Sequence, residues 1–543
     1  MNNPWLDIKK DIAKKTGLSI NDIEEPENYG DLAVPCFLLA KKFKKSPVDI
    51  AQELSAKLKI KNIEKIQATG PYINFYIDKE LFAKELLKSV NSSFGKAKSS
   101  EKIMMDVFQA NPFKSFHIGH IRNAVLGESI RRILEFRGNK TYAVNYNGDV
   151  GIHVARWLTF YKKHYKGKIP KDNFTKWVGD IYVKASALGK KSKLFQKEAQ
   201  EMNLLLDKRD PKIIKEWKKL RDLCYKDYER IRKELDIKVD KVIPESECEK
   251  PGKDLINKLY KSNKIKKSEG AVGIDLGKNG FFILLKTDGT SIYATKDLGL
   301  LQLKKKYKKF DKMVYVVGSE QEFYFKQLFE TFDRLNLYPE KKSIHVSYGE
   351  VMLTEGKMSS RKGNIIVYAD LKNEMKKSIK KQFKVKNDKL AEDIAFGAIK
   401  FYMLIFDNKK KITFDWDQAL DVEGKSGPYL QYTYARASSI SKKVRTAGKS
   451  DLSLLNTEAE FELIKKMALF PQAVEKSAKD YDPSTLANYL FELAQKFNSF
   501  YNSSPVLKSE KDLRNARLVL VKKTMIVLET GLNLLGIKPL KKM

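Results

Sequence analysis

Cysteine is scarce and spaced badly for chemistry. Cys36, Cys224 and Cys248 stand far apart in 543 residues, which excludes a disulfide framework and a thiolate zinc site. Long apolar runs are missing too: no stretch reaches the roughly 18 residues that mark a membrane helix. The chain opens at Met1-Asn2-Asn3-Pro4-Trp5 straight into an amphipathic helical pattern instead of a signal peptide. A soluble, cytoplasmic protein without a membrane partner is expected, and no sign of oligomerisation is visible, so a monomer is the starting assumption. Acidic residues are in deficit, with 68 Asp plus Glu against 104 Lys plus Arg, a formal charge of +36 and a pI near 9.6. Such a field favours a polyanionic partner, nucleic acid first. Part of the excess is lysine spread along helix faces, as in Lys304-Lys305-Lys306.

A chain of this length divides into several units. Residues 1–98 read as a small α+β module, with helical patterns at 5–16, 33–44, 48–58 and 79–90 and strands at 63–68 and 72–77 on either side of Gly70-Pro71. Residues 99–370 alternate strand and helix. Within them, about 158–240 is mostly charged helix with no visible chemistry and reads as an insertion or connecting module, while 271–276 and 281–286 read as a hairpin, followed by a short strand at 291–295. From 371 to 543 the pattern is helical to the end, as in a bundle.

The most informative stretch runs from Lys102 to Gly151. An apolar strand, Ile103 to Phe108, precedes a loop, and from Ile118 apolar residues recur at helical spacing as far as Gly138; Thr141 to Tyr146 is a second strand. His117 and His120 therefore sit at the first turn of a helix in a parallel strand-helix-strand unit. Free amides at such a turn, the helix dipole and two imidazoles suit phosphate. Gly119 between the rings leaves room for a flat group such as a purine, and Lys114 adds positive charge. Of only five histidines, His117, His120 and His153 fall here. On its own this pattern is equally an ordinary helix start, and a second element must decide.

That element is Glu355-Gly356-Lys357-Met358-Ser359-Ser360-Arg361-Lys362-Gly363, a basic loop between glycines that can wrap a triphosphate and stabilise a leaving pyrophosphate. It follows a second strand-helix series, 312–318, 322–335 and 343–346, expected to join the first in one sheet. Farther on, Tyr429, Tyr432, Tyr434 and Arg436 place aromatics beside a cation, a combination that can stack on bases, with at least half of the rings expected in the core.

The His-Ile-Gly-His turn and the distant Lys-Met-Ser-Ser-Arg resemble the signature pair of class I aminoacyl-tRNA synthetases. Further stretches resemble the arginyl-tRNA synthetases over nearly the whole chain: Ala110 to Arg122, Tyr293-Ala294-Thr295-Lys296-Asp297-Leu298, Gly427 to Tyr432 with Tyr434 to Ala437, and, near the N-terminus, Tyr29-Gly30-Asp31 and Gly70 to Phe75. The resemblance implies an α/β class I synthetase: a Rossmann-like catalytic domain with a parallel sheet, an N-terminal α+β domain that contacts tRNA, and a C-terminal α-helical bundle that binds the anticodon. It implies arginine, ATP with magnesium travelling on it, and tRNA(Arg) as substrates, without zinc. The carboxylates of Asp297 and Glu245 would accept the guanidinium. Tyr293 completes the arginine-binding segment, and Asp106, Gln109, Asn111 and Gln321 would surround the amino and carboxylate ends. ATP would lie on His117, Gly119, His120, Lys357, Met358, Ser359, Ser360 and Arg361, with catalysis by Lys114, His117, His120, Lys357 and Arg361, and tRNA on Tyr429, Tyr432 and Arg436. One departure stands out. The second motif usually has lysine at its fourth position, where this chain has Ser360, and Lys114 is placed to compensate. The rival readings are a class I synthetase for another amino acid, such as cysteine or glutamate, and a non-catalytic RNA-binding protein on a synthetase fold. Cysteine is disfavoured by the lack of a metal-ligating cysteine set.

Overall fold

In the computed structural model, residues 3–26, 28–165, 167–170, 174–353, 367–444 and 450–543 are described. The centre is a five-stranded, wholly parallel sheet, in spatial order Ser343–Tyr348, Lys312–Gly318, Lys102–Asp106, Lys140–Asn147 and Lys241–Pro244. The strand series on either side of the insertion meet in this one sheet. Strand order reverses beside Lys102–Asp106, and the crevice at the carboxyl ends next to such a switch point is where open α/β sheets bind ligands. Asp106, Asn147, Pro244 and Gly318 end four of the strands at that edge.

The fifth strand, Lys241–Pro244, is a departure from the sequence reading, too short and too charged to show a β pattern. The hairpin expected at 271–286 forms, but inside a separate antiparallel sheet with Lys266–Ser268. The strand expected at 291–295 is instead the entry to a helix, Tyr293–Tyr307, because the Thr295 hydroxyl accepts the Ile292 amide at 3.0 Å and caps the first turn. Near the N-terminus, Leu32–Pro35 is an edge strand, where a proline is tolerated, and the helix expected from Ala33 begins only at Phe37. Within the helical region, Glu458–Ala468 and Phe470–Asp480 are separate helices, divided where Pro471 starts the second.

The terminal regions pack on each other and on the centre. Asn3 Nδ2 donates to the Ala468 carbonyl at 3.0 Å, and Trp5, Phe82 and Phe461 form a chain of edge-on rings. The helix Ile118–Phe136 carries the histidines at one end, and at the other Ser129 Oγ donates to the Leu534 carbonyl at 3.1 Å. Among the described residues no helix is long and apolar enough to cross a membrane.

Candidate active site

After Asp106 the chain turns twice on positive φ, at Phe108 (65°) and Phe113 (64°). Bulky residues adopt that conformation only when their surroundings hold them. Here Phe108 stacks on Phe116, Phe116 on His120, and Phe113 lies against Trp157, each pair 5.2 Å apart. The Tyr228 hydroxyl contacts the carbonyls of Asn111 (2.8 Å) and Lys114 (2.7 Å). Tyr228 belongs to Pro211–Glu234, in the stretch read as a connector. That reading is corrected: the same helix face carries Trp217, which donates to the Asp149 carbonyl, Arg221, which pairs with the Asp149 carboxylate, and Tyr225, which donates to Asn147 Oδ1. The helix is the back wall of the site. Its stripe at helical spacing was present in the sequence but submerged among lysines.

His117 is the N-cap of Ile118–Phe136. Its Nδ1 accepts the Gly119 amide at 3.1 Å, and His120 Nδ1 accepts the His117 amide at 3.2 Å, a reciprocal cap that sets the ring centroids 3.9 Å apart. Two amides expected to face phosphate are thus taken by the rings themselves. An accepting Nδ1 leaves the ring proton on Nε2, so each imidazole is a neutral donor there. Burial, and then the charge of Lys114, lowers His117 to about 4. Burial with His117 and Lys114 holds His120 well below its ordinary value. A Cβ at Gly119 would lie 3.0 Å from His117 Cε1, so the glycine lets that ring fold back over the helix start. Lys114 Nζ sits 5.5 Å above the Tyr182 ring. With burial leading, Lys114 also lowers His153 to about 4.

Lys357, Met358, Ser359, Ser360 and Arg361 lie outside the described residues. Both flanks of that segment are fastened to the histidine helix. Before it, the buried Arg122 guanidinium donates to the Gly349 carbonyl at 2.7 Å, ahead of the strand Val351–Leu353. After it, Val367 bridges His117, and the Tyr368 amide donates to the Phe116 carbonyl at 2.8 Å.

The acidic slot is built by two helices whose N-terminal ends face the sheet edge. Asp297, in Tyr293–Tyr307, is half-buried and accepts the Tyr324 hydroxyl, and no ion pair engages its carboxylate among the described residues. Burial raises it to about 7 against the pull of Tyr324 and Lys304. Glu245, the first residue of Glu245–Lys261, bonds Lys296 Nζ through Oε1 at 3.0 Å. Its Oε2 points at Gly148, where a Cβ would be 3.0 Å away, and the Gly148 amide donates to Asn111 Oδ1 at 2.6 Å. Only a glycine passes between these groups. The Tyr146 hydroxyl is buried and unpartnered; burial, Asp297 and Glu245 hold its proton on. The slot presents one carboxylate without an ion pair, one carboxylate held by a lysine, and a phenol without a hydrogen-bond partner among the described residues.

Other expected residues are distributed unevenly. Asp106 is fully buried at the strand end, with its oxygens 2.6 and 2.7 Å from Lys304 Nζ. Lys304, read as a surface lysine, is fully buried and lies 4.0 Å over the Tyr315 ring. Tyr293 is 73% exposed. Gln321 is exposed at the end of the turn Ser319–Gln321, and Gln109 is half-buried. Tyr146, Tyr324, Lys296 and Gly148 were missed. Tyr146 ends the strand read at Thr141 to Tyr146 and Gly148 follows it, whereas nothing local distinguishes Tyr324. In the C-terminal bundle, Tyr434 is core. Arg436 lies 4.9 Å from the rings of both Tyr432 and Tyr501, and its Nη1 donates to Asn498, which in turn donates to the Tyr429 hydroxyl.

Three family models match the chain: tRNA synthetases class I (R), catalytic domain, over residues 83–416; DALR anticodon binding domain, over 430–543; and Arginyl tRNA synthetase N terminal domain, over 7–77. The chain is 36% identical over 540 residues to an arginine–tRNA ligase of Bdellovibrio bacteriovorus, covering 95% of this chain and 93% of that one. It is 38% identical over 550 residues to the one from Treponema denticola, covering 94% and 93%. Among solved structures, Thermus thermophilus arginyl-tRNA synthetase superposes with a TM-score of 0.83 at 26% identity, covering both chains in full.

Proposed function

The chain belongs to the class I arginyl-tRNA synthetases, and from that membership we propose how its residues divide the ATP-dependent ligation of L-arginine to tRNA(Arg). The observation that carries the reading is the half-buried Asp297, without an ion pair among the described residues, beside Glu245 and a Tyr146 hydroxyl that has no partner among them. A guanidinium supplies the missing positive charge and, being planar, can donate to several acceptors at once. Asp297 and Glu245 take the guanidinium, with Tyr146 and Tyr324 at its edges. Asn111, Gln109 and Gln321 lie toward the α-carbon end, and Tyr293 stands at the rim.

In the first step one oxygen of the arginine carboxylate attacks the α-phosphorus of ATP. The carboxylate–phosphorus bond forms, the bond from the α-phosphorus to the bridging oxygen breaks, and pyrophosphate leaves with that oxygen. No protein nucleophile is needed. Alignment of the two substrates can supply roughly 7–11 kcal/mol. The neutral Nε2 donors of His117 and His120 hold nucleotide oxygens beside Gly119 without a protonation step, and Lys114 faces the developing phosphate charge. Lys357, Met358, Ser359, Ser360 and Arg361 supply contacts to the triphosphate; the fastening of the residues on either side of them, Gly349 and Val367, to the histidine helix supports this. Magnesium enters on ATP as the substrate's own ion. In the second step a ribose hydroxyl of the terminal adenosine of tRNA attacks the arginyl carbonyl, its proton departs, and AMP leaves. Tyr432 and Arg436 meet unpaired bases, with Tyr429 bracing them through Asn498.

Charging total tRNA with each of the twenty amino acids tests the reading. Arginine alone should be attached, and a comparable rate with any other amino acid would overturn it.

A further inference from the structure

Glu245 and Asp297 stand on different helices, Glu245–Lys261 and Tyr293–Tyr307. Their spacing therefore follows from how those helices cross, and the crossing is at backbone contact. A methyl built on Gly252 would overlap the Thr295 carbonyl oxygen and lie 2.9 Å from the Thr295 carbonyl carbon and 3.3 Å from the Gly299 nitrogen. A methyl built on Gly299 would overlap the Cys248 carbonyl oxygen and lie 2.9 Å from the Gly252 nitrogen. The arrangement is reciprocal: each glycine rests on the carbonyl one helical turn before the other. Helix pairs ordinarily keep side chains between them and axes about 8–10 Å apart. Peptide groups in contact have no rotamers to adjust, so such a crossing yields less than side-chain packing does.

A second observation points the same way. Pro251 and Gly252 sit in the interior of a helix, where proline removes a hydrogen bond and glycine adds backbone freedom, both against helix propensity. From this crossing Glu245 is two turns away along one helix, and Asp297 is half a turn away along the other, so any shift at the glycines is delivered to the carboxylates.

We infer that the Gly252–Gly299 crossing is the gauge of the amino acid slot: by holding two backbones in contact it fixes the separation of Glu245 and Asp297 to the width of a guanidinium, which makes both glycines specificity-determining positioning residues. The inference rests on the reading of those carboxylates as guanidinium acceptors. Gly252→Ala and Gly299→Ala must each part the helices by about 1 Å, a displacement that can cost about a hundredfold at a site. Each should raise KM for arginine at least about tenfold, leave KM for ATP and tRNA within about threefold, and lower the preference for arginine over Nω-methylarginine, whose guanidinium is one methyl wider. KM does not depend on how much of the enzyme is folded, so a merely structural defect would not produce this split. Since either alanine opens the same crossing, the double variant should be little worse than the poorer single one. An arginine KM within twofold of the parent in either single variant, or fully additive effects, would overturn the inference.

The unaltered enzyme gives an independent reading should the variants not fold. Nω-methylarginine, of the same length but with a guanidinium one methyl wider, should lose about tenfold to a hundredfold in kcat/KM; acceptance within threefold would overturn the inference. Asp297→Asn separates the two levels. If it leaves arginine use unchanged, the acceptor reading falls and takes the gauge with it; if it abolishes arginine use while the glycine variants do not raise the arginine KM, only the gauge falls.

Discussion

At the histidine turn, binding capacity is made from neutral parts: two imidazoles oriented by backbone amides, kept uncharged by burial and by Lys114. The acidic slot is made from carboxylates drawn out of bulk water, two of them offset (Glu245 by Lys296, Asp106 by Lys304) and one, Asp297, without an ion pair among the described residues. The contrast follows from the ligands. A triphosphate carries its own charge and metal, and fixed donors suffice to align it. A single guanidinium must be distinguished from neutral side chains, and a desolvated carboxylate does so because burial without a cationic partner is unfavourable. The empty slot is therefore less stable than it would be without Asp297.

The strongest way to break the comparison is Asp297→Asn. It should lower kcat/KM for arginine about a thousandfold, in line with truncating one partner of a buried charge pair, while KM for ATP stays within threefold. The same change should stabilise the arginine-free protein. Asp297 is raised from 3.8 to about 7 in the fold, so the folded state holds a proton that the unfolded chain releases; stability is full below about pH 4 and is lost as pH rises through 7. The shift corresponds to about 4 kcal/mol, and with Tyr324 left a poorer partner we expect about 2 kcal/mol of gain above pH 7, fading by pH 4. Thermal melts at pH 8 and pH 4.5 check this. No gain at pH 8 would mean that the slot is not held under charge stress.

Next in size is Lys114→Ala, which probes the other end. Removing the one formal charge beside the imidazoles should slow adenylate formation about a hundredfold in a single-turnover measurement with tRNA present, with arginine affinity within threefold. Equal loss in both quantities would show that the two ends are not separable.

How far these ends could be read from the chain itself differs in the same way. The histidine turn is local: strand, loop, cap and helix are contiguous from Lys102 to Phe136, and periodicity located them. The slot is assembled from the ends of two strands and the starts of two helices separated by up to about 150 positions, so Asp297 and Glu245 were visible only through family resemblance, and Tyr324 not at all. Asp106 too was placed by the resemblance, and its partner Lys304, 198 residues away, could not be read from the neighbouring sequence. The insertion misled because lysines on the outer face of Pro211–Glu234 outnumber the inward stripe of Trp217, Arg221, Tyr225 and Tyr228.

Acidity sharpens the contrast with a smaller effect. Below about pH 7, protonating Asp297 removes the partner of the guanidinium, so KM for arginine should rise by about tenfold for each further pH unit. His117, lowered to about 4, and His120, lower than its ordinary value, remain neutral over the same range, so KM for ATP should stay flat from about pH 5.5 to 8. Parallel titration of both constants would place a histidine, and not Asp297, in control.

The smallest effect concerns a third surface that uses both devices at once. Arg436 is charged yet lies flat between the Tyr432 and Tyr501 rings, 4.9 Å from each, and Tyr432 is 41% exposed. A base stacked on Tyr432 gains from the ring face, not from counterion release, so Tyr432→Ala should raise KM for tRNA about fivefold to tenfold without altering its salt dependence. Arg436→Ala removes a charge and also the brace that Asn498 shares with Tyr429; it should weaken tRNA by a similar factor but flatten the salt dependence by about one phosphate contact. Identical salt slopes in the two variants would mean that Arg436 acts only as packing, and that charge and neutral stacking are not distinct contributions on this face.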